Sequence, residues 1–288
     1  MRIIIVGGIA AGMSAAAKLR RTDRGAEIVV YEKSPHISFG ACGLPYYVGG
    51  NFDNIDRMLV RTPEKVRETG IDVKVEHEVL SLDVQNKTIK VKDLQSGEIF
   101  SDKYDKLMIA TGAATIIPPI ENIETAYTLR SVEDGEKLKE KIQDESIKKV
   151  AVIGAGFIGL EVADVAKELG KEVCVFNMGS RILEKVLDEE VTEILEENLR
   201  AHGVELYFNT IVKSLETSPN KTKLITDTDE VEVDLVVLAA GVRPNTSFLK
   251  DTGIEMLPNG AIVIDDEGKT SIQDIYAAGD CATVYHLV

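Results

Sequence analysis

Two stretches of the chain share one pattern of apolar and small residues. Each begins with a β-branched apolar run, continues through a glycine-rich turn and ends in an alanine-rich segment, over residues 3–20 and again over residues 150–169. This order is typical of a β-strand, a phosphate-binding loop and an α-helix. A second pair of similar segments follows, because the apolar residues 104–112 and 233–241 each end in small residues. The repetition predicts two related nucleotide-binding units.

The remaining elements follow from shorter patterns. Alternating apolar residues predict one antiparallel meander over 71–101 and a second over 204–232. Helical periodicity predicts helices at 10–22, 62–69, 132–143, 157–169 and 187–202. The tail predicts a strand or hairpin at 261–265, a strand at 274–280 and a helix that begins at Cys281 and is cut off at Val288, so we expect the chain to be incomplete.

These elements together define a fold class. We expect an α/β protein with two Rossmann-like three-layer domains and antiparallel β-meander crossovers. The pair Pro118-Pro119 indicates a linker between the two halves. A length of 288 residues is sufficient for two domains.

Composition excludes several classes of function. The net charge of −15 argues against nucleic acid and anionic membranes as partners. No apolar run approaches the roughly 20 residues of a membrane-spanning helix. Three cysteines are too few for a disulfide scaffold, so we expect a cytoplasmic protein with reduced thiols. The four histidines have no metal-ligand spacing, and we predict no metal.

The first glycine loop predicts a dinucleotide site. It contains Gly7, Gly8 and Gly12, with Ile9 where the middle glycine of G-x-G-x-x-G would stand. The next predicted strand ends at Glu32, where a carboxylate can accept hydrogen bonds from the ribose of an adenosine. The structural alternative is a glycine that permits helix–strand packing, together with a surface glutamate.

The second glycine loop is a complete G-x-G-x-x-G, formed by Gly154, Gly156 and Gly159. The strand that follows it ends at Asn177, a neutral residue that can hydrogen-bond an adenosine ribose with or without a 2′-phosphate. Arg181 could meet a 2′-phosphate or could be a solvated surface residue. NADH and NADPH therefore both remain possible.

Cys42 is the candidate reactive thiol. It precedes Pro45, which favours the first turn of a short helix, and a helix N-terminus favours the thiolate form of cysteine. A thiolate beside a nucleotide site can attack disulfides or be oxidised to sulfenic acid. We expect Cys174 and Cys281 to be buried structural residues.

These segments together resemble the pyridine nucleotide–disulfide oxidoreductases. They look most like the subgroup with a single redox cysteine, which contains coenzyme A disulfide reductases, NADH oxidases and peroxidases, and persulfide reductases. The resemblance covers essentially the whole chain, and it is carried by the two glycine loops, Glu32, residues 38–43, 110–112, Glu161, 240–244, Thr270 and 276–280.

The resemblance implies roles for particular residues. It implies FAD at the first loop, NADH or NADPH at the second, and Cys42 with Glu161 as catalytic residues. The residues implied to hold FAD are Gly7, Gly8, Ala11, Gly12, Glu32, Lys33, Val79, Thr111, Gly112 and Asp280. Those implied to hold the nicotinamide cofactor are Gly154, Gly156, Phe157, Ile158, Gly159, Asn177 and Gly241. The candidate substrate contacts are Arg20, Ser38 and Arg61.

The resemblance also implies a domain organisation and a partner. The FAD-binding domain would comprise residues 1–112 and 243–288, and the NAD(P)-binding domain residues 113–242. Members of the family carry a further C-terminal dimerisation domain, which we expect to be missing from this chain. A homodimer is therefore expected only where that domain is present.

The implied reaction passes electrons from NAD(P)H through flavin to Cys42, which reduces a small disulfide or persulfide such as coenzyme A disulfide. Ala10 stands where oxidases and peroxidases of the subgroup usually carry a histidine, which favours a disulfide or persulfide over oxygen or peroxide. Ala41 stands where coenzyme A disulfide reductases often carry asparagine, which weakens that match.

Three alternatives remain open. The first is an NADH oxidase or peroxidase that uses a Cys42 sulfenic acid. The second is an inactive nucleotide-binding fragment of a longer enzyme. The third is a flavin reductase that serves an electron carrier without using Cys42.

Overall fold

The computed structural model describes residues 1–219 and 221–284. The helices are α1 (Ala10–Thr22), α2 (Leu44–Val48), α3 (Pro63–Arg67), α4 (Val132–Ile142), α5 (Phe157–Glu168) and α6 (Glu189–Ala201). The first strands are β1 (Arg2–Val6), β2 (Glu27–Tyr31), β3 (Ile71–Lys74), β4 (His77–Asp83), β5 (Thr88–Asp93), β6 (Ile99–Lys103), β7 (Lys106–Ile109) and β8 (Ala113–Thr115). The later strands are β9 (Lys149–Ile153), β10 (Glu172–Phe176), β11 (Val204–Tyr207), β12 (Val212–Thr217), β13 (Thr222–Thr226), β14 (Glu230–Val233), β15 (Leu235–Leu238), β16 (Val242–Pro244) and β17 (Ile275–Ala277).

The described chain divides into two compact units. The first contains Met1–Gly40, Asp56–Ala114 and the residues from Arg243 onward, and the second contains Ala41–Ile55 and Thr115–Val242. Among the described residues, no helix has both the length and the apolar character needed to cross a membrane.

The first unit is built on a parallel sheet in the strand order β17-β7-β1-β2-β3. Alternate residues of β1 reach opposite faces of this sheet because side chains alternate along a strand. Ile3 and Ile5 pack with Met13 of α1, whereas Ile4 and Val6 belong to a second core shared with β4 and β5. The unit therefore has three layers, with a helix on one face of the sheet and the antiparallel meander β4-β5-β6 on the other.

The second unit repeats this plan. Its parallel sheet has the order β11-β10-β9-β15, and the antiparallel meander β12-β13-β14 covers one face. Ile153 and Phe176 from the sheet pack with Leu215 and Leu224 from the meander. The predicted fold class, two three-layer Rossmann-like units with meanders, is confirmed.

The five helices predicted between residues 10 and 202 are confirmed, with end shifts of a few residues. Both predicted meanders were wrong at their first strand. β3 and β11 instead extend the parallel sheets beside β2 and β10. The second meander also contains β13, which the sequence analysis did not identify.

The segment 261–265 was predicted as a strand or hairpin, and it contributes to a short hairpin but forms no continuous strand. Ile262 makes an isolated antiparallel bridge to Met256, the Val263 N–H donates to the Glu255 carbonyl at 3.0 Å, and the Leu257 N–H donates to the Ala261 carbonyl at 2.8 Å.

The prediction that a helix begins at Cys281 was wrong over residues 281–284. The Thr283 N–H donates to the Ile262 carbonyl, so this segment pairs with the chain around Ile262 and is not helical. The rest of that expected helix, residues 285–288, lies outside the described residues.

Residues 41–55 were expected in the first domain, but by their contacts they group with the second compact unit. The chain crosses between the units at 114/115, shortly before the Pro118-Pro119 linker of the sequence analysis. The assignment of one domain to FAD and the other to NAD(P)H stays a prediction.

Gly7 permits a close backbone approach in the first unit. Its φ is +106°, and a Cβ at this position would overlap the carbonyl of Ala110. We predict that Gly7→Ala lowers the free energy of unfolding by about 2 kcal/mol or more, because both the positive φ and the overlap must be relieved. Urea unfolding without nucleotide measures this change.

Gly97→Ala is the matched control. Gly97 also has a positive φ, +77°, but nothing lies within 4 Å of its Cβ position. It should lose only the conformational contribution of about 1 kcal/mol. Equal losses for the two variants would contradict the close approach.

An ion-pair cluster predicts a pH-dependent contribution to stability. Asp274 accepts hydrogen bonds from Lys87 Nζ at 2.7 Å and Lys106 Nζ at 3.2 Å, and the Lys87 bond is the main cause that lowers the pKa of Asp274. A depressed folded pKa stabilises the protein above the unfolded value of about 3.9, and the contribution disappears as the pH falls through the folded pKa.

Asp274→Asn should therefore lower the free energy of unfolding at pH 7, and the difference from wild type should shrink towards pH 3. Urea unfolding at several pH values measures it. Asp266→Asn, at an exposed position, should show no such difference. A wild-type minus Asp274→Asn difference that is constant with pH would refute the prediction.

Candidate functional site

Four loops of the first unit meet at one edge of its sheet. They are Gly7–Gly12 after β1, Glu32 after β2, Ala110–Gly112 after β7 and Gly279–Asp280 after β17. Because the strands are parallel, their carboxyl ends share one edge. The strand order reverses beside β1, and that is where α/β sheets bind ligands.

The backbone holds the first glycine loop tightly. The Gly7 N–H donates to the Tyr31 carbonyl at 2.8 Å, and the Ala110 N–H donates to the Val6 carbonyl at 2.8 Å. A Cβ on Gly12 would overlap the Gly7 carbonyl, so the first turn of α1 lies directly against the loop. This close approach requires glycine at both positions.

Glu32 fixes the loop from the neighbouring strand. Its side chain is buried, with 7% of the residue exposed. One carboxylate oxygen accepts from the Gly8 N–H at 2.6 Å, and the other accepts from the Ser34 N–H at 2.8 Å. A carboxylate has about four acceptor positions, so two remain for other donors such as ribose hydroxyls.

The other two loops are also held by the backbone. Thr111 Oγ1 donates to the Asn245 carbonyl at 2.8 Å, and the Asn245 N–H donates to the Gly112 carbonyl at 2.9 Å. A Cβ on Gly279 would come within 3.0 Å of Ala11 Cβ. Asp280, which follows Gly279, therefore lies beside the first turn of α1.

Val79 and Lys33 both lie near Glu32. The His77 N–H at the start of β4 donates to the Glu32 carbonyl at 2.9 Å, and Val79 follows two residues later. Val79 is buried, and the ladder with β5 shifts register just after it. Lys33 is exposed and pairs with Glu78 at 3.8 Å. Their roles toward a cofactor stay predictions.

The three candidate substrate contacts have different surroundings. The Arg20 guanidinium donates to the carbonyls of Arg24, Ala26 and Gly70, at 2.9, 2.9 and 2.7 Å, which favours a structural role. Ser38 has a φ of +51°, and its N–H donates to the Gly8 carbonyl at 3.0 Å. Arg61 is exposed. A substrate role for any of the three stays a prediction.

The second glycine loop has the same backbone geometry as the first. The Gly154 N–H donates to the Phe176 carbonyl at 2.8 Å, and the Ala239 N–H donates to the Ile153 carbonyl at 2.8 Å. A Cβ on Gly159 would overlap the Gly154 carbonyl.

The middle position of the motif is different, because a Cβ on Gly156 would meet nothing within 4 Å. That open space explains how Ile9 can occupy the equivalent position of the first loop.

The residues next to the second loop are partly open to solvent. Phe157 is 59% exposed at the start of α5, and Ile158 lines a small cavity together with Ala239 and Gly241. Gly241 has a φ of +103°, and its carbonyl accepts the Ile116 N–H at 2.9 Å.

Glu161 lies one turn into α5, on its exposed side. Partial desolvation by the surrounding protein raises the pKa of its carboxyl group, and among the described residues no ion pair opposes this.

Helix N-termini distinguish the two loops from the rest of the chain. Among the described helices of eight residues or more, only α1 and α5 have neither a side-chain cap nor an acidic residue in the first turn. By contrast, Ser131 and Asp134 form a capping box on α4. Uncapped N–H groups at a helix N-terminus attract phosphate through hydrogen bonding and the helix dipole. Both loops therefore fit the pyrophosphate of a dinucleotide.

Cys42 is exposed and lies in a 3₁₀ turn, Ala41–Gly43, directly before α2. The predicted short helix with Pro45 in its first turn is confirmed. α2 is only five residues long, so packing must hold it in place.

Small residues let α2 approach its neighbours in the second unit. A Cβ on Gly135 of α4 would come within 2.7 Å of Leu44, and one on Gly49 would come within 3.1 Å of Val165 of α5. The segment that carries Cys42 is thus packed closely against two helices.

Polar contacts from α4 fix the same segment. Lys139 Nζ lies 4.2 Å from the centre of the Tyr47 ring and donates to the Phe52 carbonyl at 3.0 Å. Gln143 Nε2 donates to the Val48 carbonyl at 3.1 Å. These contacts explain why residues 41–55 group with the second unit.

The other two cysteines are fully buried, as predicted. Burial raises the pKa of Cys174 to about 12, and Cys174 Sγ donates to the Val150 carbonyl at 3.6 Å. Burial also raises the pKa of Cys281, whose Sγ donates to the Ile109 carbonyl at 3.5 Å. Neither thiol is accessible. Among the described residues, no group of histidine, cysteine and carboxylate side chains could hold a metal ion.

The whole chain, residues 1–288, matches the family model described as pyridine nucleotide-disulphide oxidoreductase. The chain belongs to this family.

Similar proteins include an NADH oxidase of Enterococcus faecalis, 38% identical over 99% of this chain and 64% of the relative. An NAD(P)H coenzyme A polysulfide/persulfide reductase of Pyrococcus horikoshii is 34% identical over 100% of this chain and 64% of the relative. This chain thus spans about two thirds of the length of these relatives.

Solved structures of similar fold come from the same groups. A water-forming NADH oxidase from Lactobacillus brevis bound to NADH has a TM-score of 0.94 and 34% identity, over 98% of this chain and 62% of that chain. An NAD-dependent persulfide reductase from A. fulgidus has a TM-score of 0.92 and 38% identity, over 98% and 53%.

The exposure of the cysteines predicts their reactivity toward a thiol reagent. After reduction and desalting, one of the three thiols should react quickly with dithiobisnitrobenzoate in the native protein, and all three should react in urea. Cys42→Ser should remove the fast reaction. A fast reaction that survives in Cys42→Ser would contradict the assignment.

Proposed function

We propose that this protein is a flavin-dependent oxidoreductase. It takes electrons from NADH or NADPH through FAD and uses Cys42 to reduce a small disulfide or persulfide such as coenzyme A disulfide. The observation that carries the proposal is the presence, in one chain, of two glycine loops of the same backbone geometry and one exposed cysteine. Two dinucleotide sites in one chain suit the transfer of electrons from one dinucleotide to the other.

The first unit would hold FAD. The uncapped start of α1 would bind the pyrophosphate, Glu32 would accept from the adenosine ribose, and Asp280 would accept from the ribityl hydroxyls. When bound, FAD would supply the chemistry that links two-electron hydride transfer to sulfur reduction. The protein supplies binding and orientation through the hydrogen bonds that fix Glu32 and Thr111.

The second unit would hold the nicotinamide cofactor. The uncapped start of α5 would bind its pyrophosphate, and Asn177 would meet its adenosine ribose. Glu161 is the proposed catalytic residue of this unit. Partial desolvation raises the pKa of its carboxyl group, and a perturbed pKa is typical of residues at functional sites.

The thiolate of Cys42 would attack one sulfur of the substrate disulfide. A mixed disulfide with Cys42 forms, the S–S bond of the substrate breaks, and one thiol leaves. Two electrons and a proton then cleave the mixed disulfide, which releases the second thiol and restores the thiolate. Overall, one NAD(P)H and one proton convert one disulfide into two thiols. Such chemistry suits the reducing cytoplasm.

A disulfide or persulfide is the favoured oxidant because Ala10, the first residue of α1, cannot transfer a proton to a peroxide. The persulfide reductases of P. horikoshii and A. fulgidus support this choice. NADH oxidase activity is the second candidate, since relatives at up to 38% identity carry that name.

Cys42→Ser separates the two halves of the proposed reaction. NADH should still bleach the flavin absorbance of this variant under anaerobic conditions, because the dinucleotide sites are intact. Reduction of coenzyme A disulfide, measured as thiol release, should fall by about 100-fold or more because the nucleophile is lost.

Cys174→Ala is the matched control, and it should retain both reactions because its thiol is buried in β10. Disulfide reduction at the wild-type rate by Cys42→Ser would refute the role of Cys42. Faster NADH consumption with oxygen alone than with coenzyme A disulfide would support the oxidase instead.

A further inference from the structure

We infer that the second unit selects NADH over NADPH, and that Glu184 is the residue that determines this specificity. The inference rests on the proposed nicotinamide cofactor site in this unit. It concerns the loop between β10 and α6, residues 177–188, which follows the strand end that meets an adenosine ribose in folds of this kind.

This loop lies against the second glycine loop. The Leu183 N–H donates to the Ala155 carbonyl at 3.2 Å, so the residue before Glu184 is bonded directly to the glycine loop. On its other side, the Asn177 N–H donates to the Tyr207 carbonyl at 2.9 Å. The first bond places the residue before Glu184 beside the glycine loop, and the second fixes the backbone of Asn177 at the end of β10.

The carboxylate of Glu184 turns back toward Asn177. Its Oε2 accepts the Ser180 N–H at 3.2 Å. A Cβ on Gly179 would come within 2.7 Å of all three carboxylate atoms. Glu184 therefore places its negative charge over the backbone two and three residues beyond Asn177.

Arg181 cannot offset this charge, because its guanidinium is engaged within the protein. One terminal nitrogen donates to the Leu187 carbonyl at 2.7 Å and to Thr192 Oγ1 at 3.3 Å. The other donates to the Glu184 carbonyl at 3.0 Å. Arg181 thus holds the end of this loop against the start of α6, and it does not bind a 2′-phosphate.

Other charges near the loop are mainly acidic. Glu196 of α6 accepts the Ile182 N–H at 3.0 Å, and Asp188, Glu189 and Glu190 close the loop and begin α6. The remaining basic residue of the loop is Lys185, which is exposed.

The side-chain amide of Asn177 is also committed, because its Nδ2 donates to the Arg181 carbonyl at 3.0 Å. The amide oxygen remains as an acceptor, which suits a ribose hydroxyl and not a phosphate.

Repulsion between negative charges distinguishes NADPH from NADH at this site. A 2′-phosphate would bring up to two negative charges beside the Glu184 carboxylate, and like charges brought together at a binding site disfavour binding strongly. A 2′-hydroxyl is neutral and can donate to an oxygen acceptor. The site therefore accepts NADH and rejects NADPH.

Isothermal titration calorimetry of the 288-residue protein with ADP-ribose and with 2′-phospho-ADP-ribose tests the inference. Both probes carry the adenosine ribose but lack the redox-active ring, so binding is measured without turnover. We expect ADP-ribose to bind at least tenfold more tightly. We also expect the ratio to shrink as salt rises, because salt screens the repulsion.

Three variants assign the effect. Glu184→Gln keeps an oxygen acceptor for Ser180 and should reduce the ratio at least threefold. Arg181→Met should lower thermal stability and leave the ratio unchanged. Lys137→Met, an exposed control on α4 outside this loop, should change neither. Equal or tighter binding of the phosphorylated probe to the wild type would overturn the inference, and so would a ratio that falls with Arg181→Met but not with Glu184→Gln.

Failure of the proposed function has a different signature. If neither probe binds, the second loop is not a dinucleotide site, and the proposed function and this inference fail together. If both probes bind equally, the dinucleotide site stands and only the selectivity is wrong.

Discussion

The contact of backbone with backbone at the carboxyl end of β1 is the constraint on which the rest of the structure depends. No side chain fits between Gly7 and the Ala110 carbonyl, or between Gly12 and the Gly7 carbonyl. This close approach brings α1 onto the sheet with its first N–H groups at the surface. The same contacts recur in the second unit around Gly154 and Gly159. The same close backbone contact thus occurs at two uncapped helix ends in one chain.

Both units have the same glycine loop and helix start, but the side chains around them differ. In the first, a buried carboxylate, Glu32, is bonded to the glycine loop itself. In the second, Asn177 occupies the equivalent strand end, and the following loop supplies a carboxylate, Glu184, which accepts from the Ser180 N–H. Cys42 lies on a segment that Lys139 and Gln143 bind to α4. The two units therefore share one backbone arrangement, and a few side chains make the surroundings of the two glycine loops different.

Much of this arrangement can be predicted from sequence because it depends on local patterns. The range of α1 was predicted correctly, since its apolar period and the preceding glycines are local signals. Burial of Cys174 follows from the apolar strand that contains it. Strand alternation, by contrast, does not identify a strand's neighbour. β3 and β11 were therefore assigned to meanders although they pair in the parallel sheets.

Contacts between distant segments were beyond the sequence analysis for a related reason. Leu44 and Tyr47 indicate an apolar helix face, but only the structure identifies α4 as their partner. The guanidinium of Arg181 is chemically suited to bind a phosphate. Only the structure shows that it donates instead to backbone carbonyls of its own loop. Gly135 is a glycine inside a helix, which often marks a close packing contact, and it is the sequence signal that could have indicated this contact.

The central claim is that each glycine loop binds its own dinucleotide. The most direct measurement is a titration of the 288-residue protein with ADP-ribose, before and after saturation with FAD. The account predicts one FAD and one ADP-ribose per chain, with an affinity for ADP-ribose that FAD does not reduce. Competition between the two ligands for a single site, or a total of one dinucleotide per chain, would contradict it.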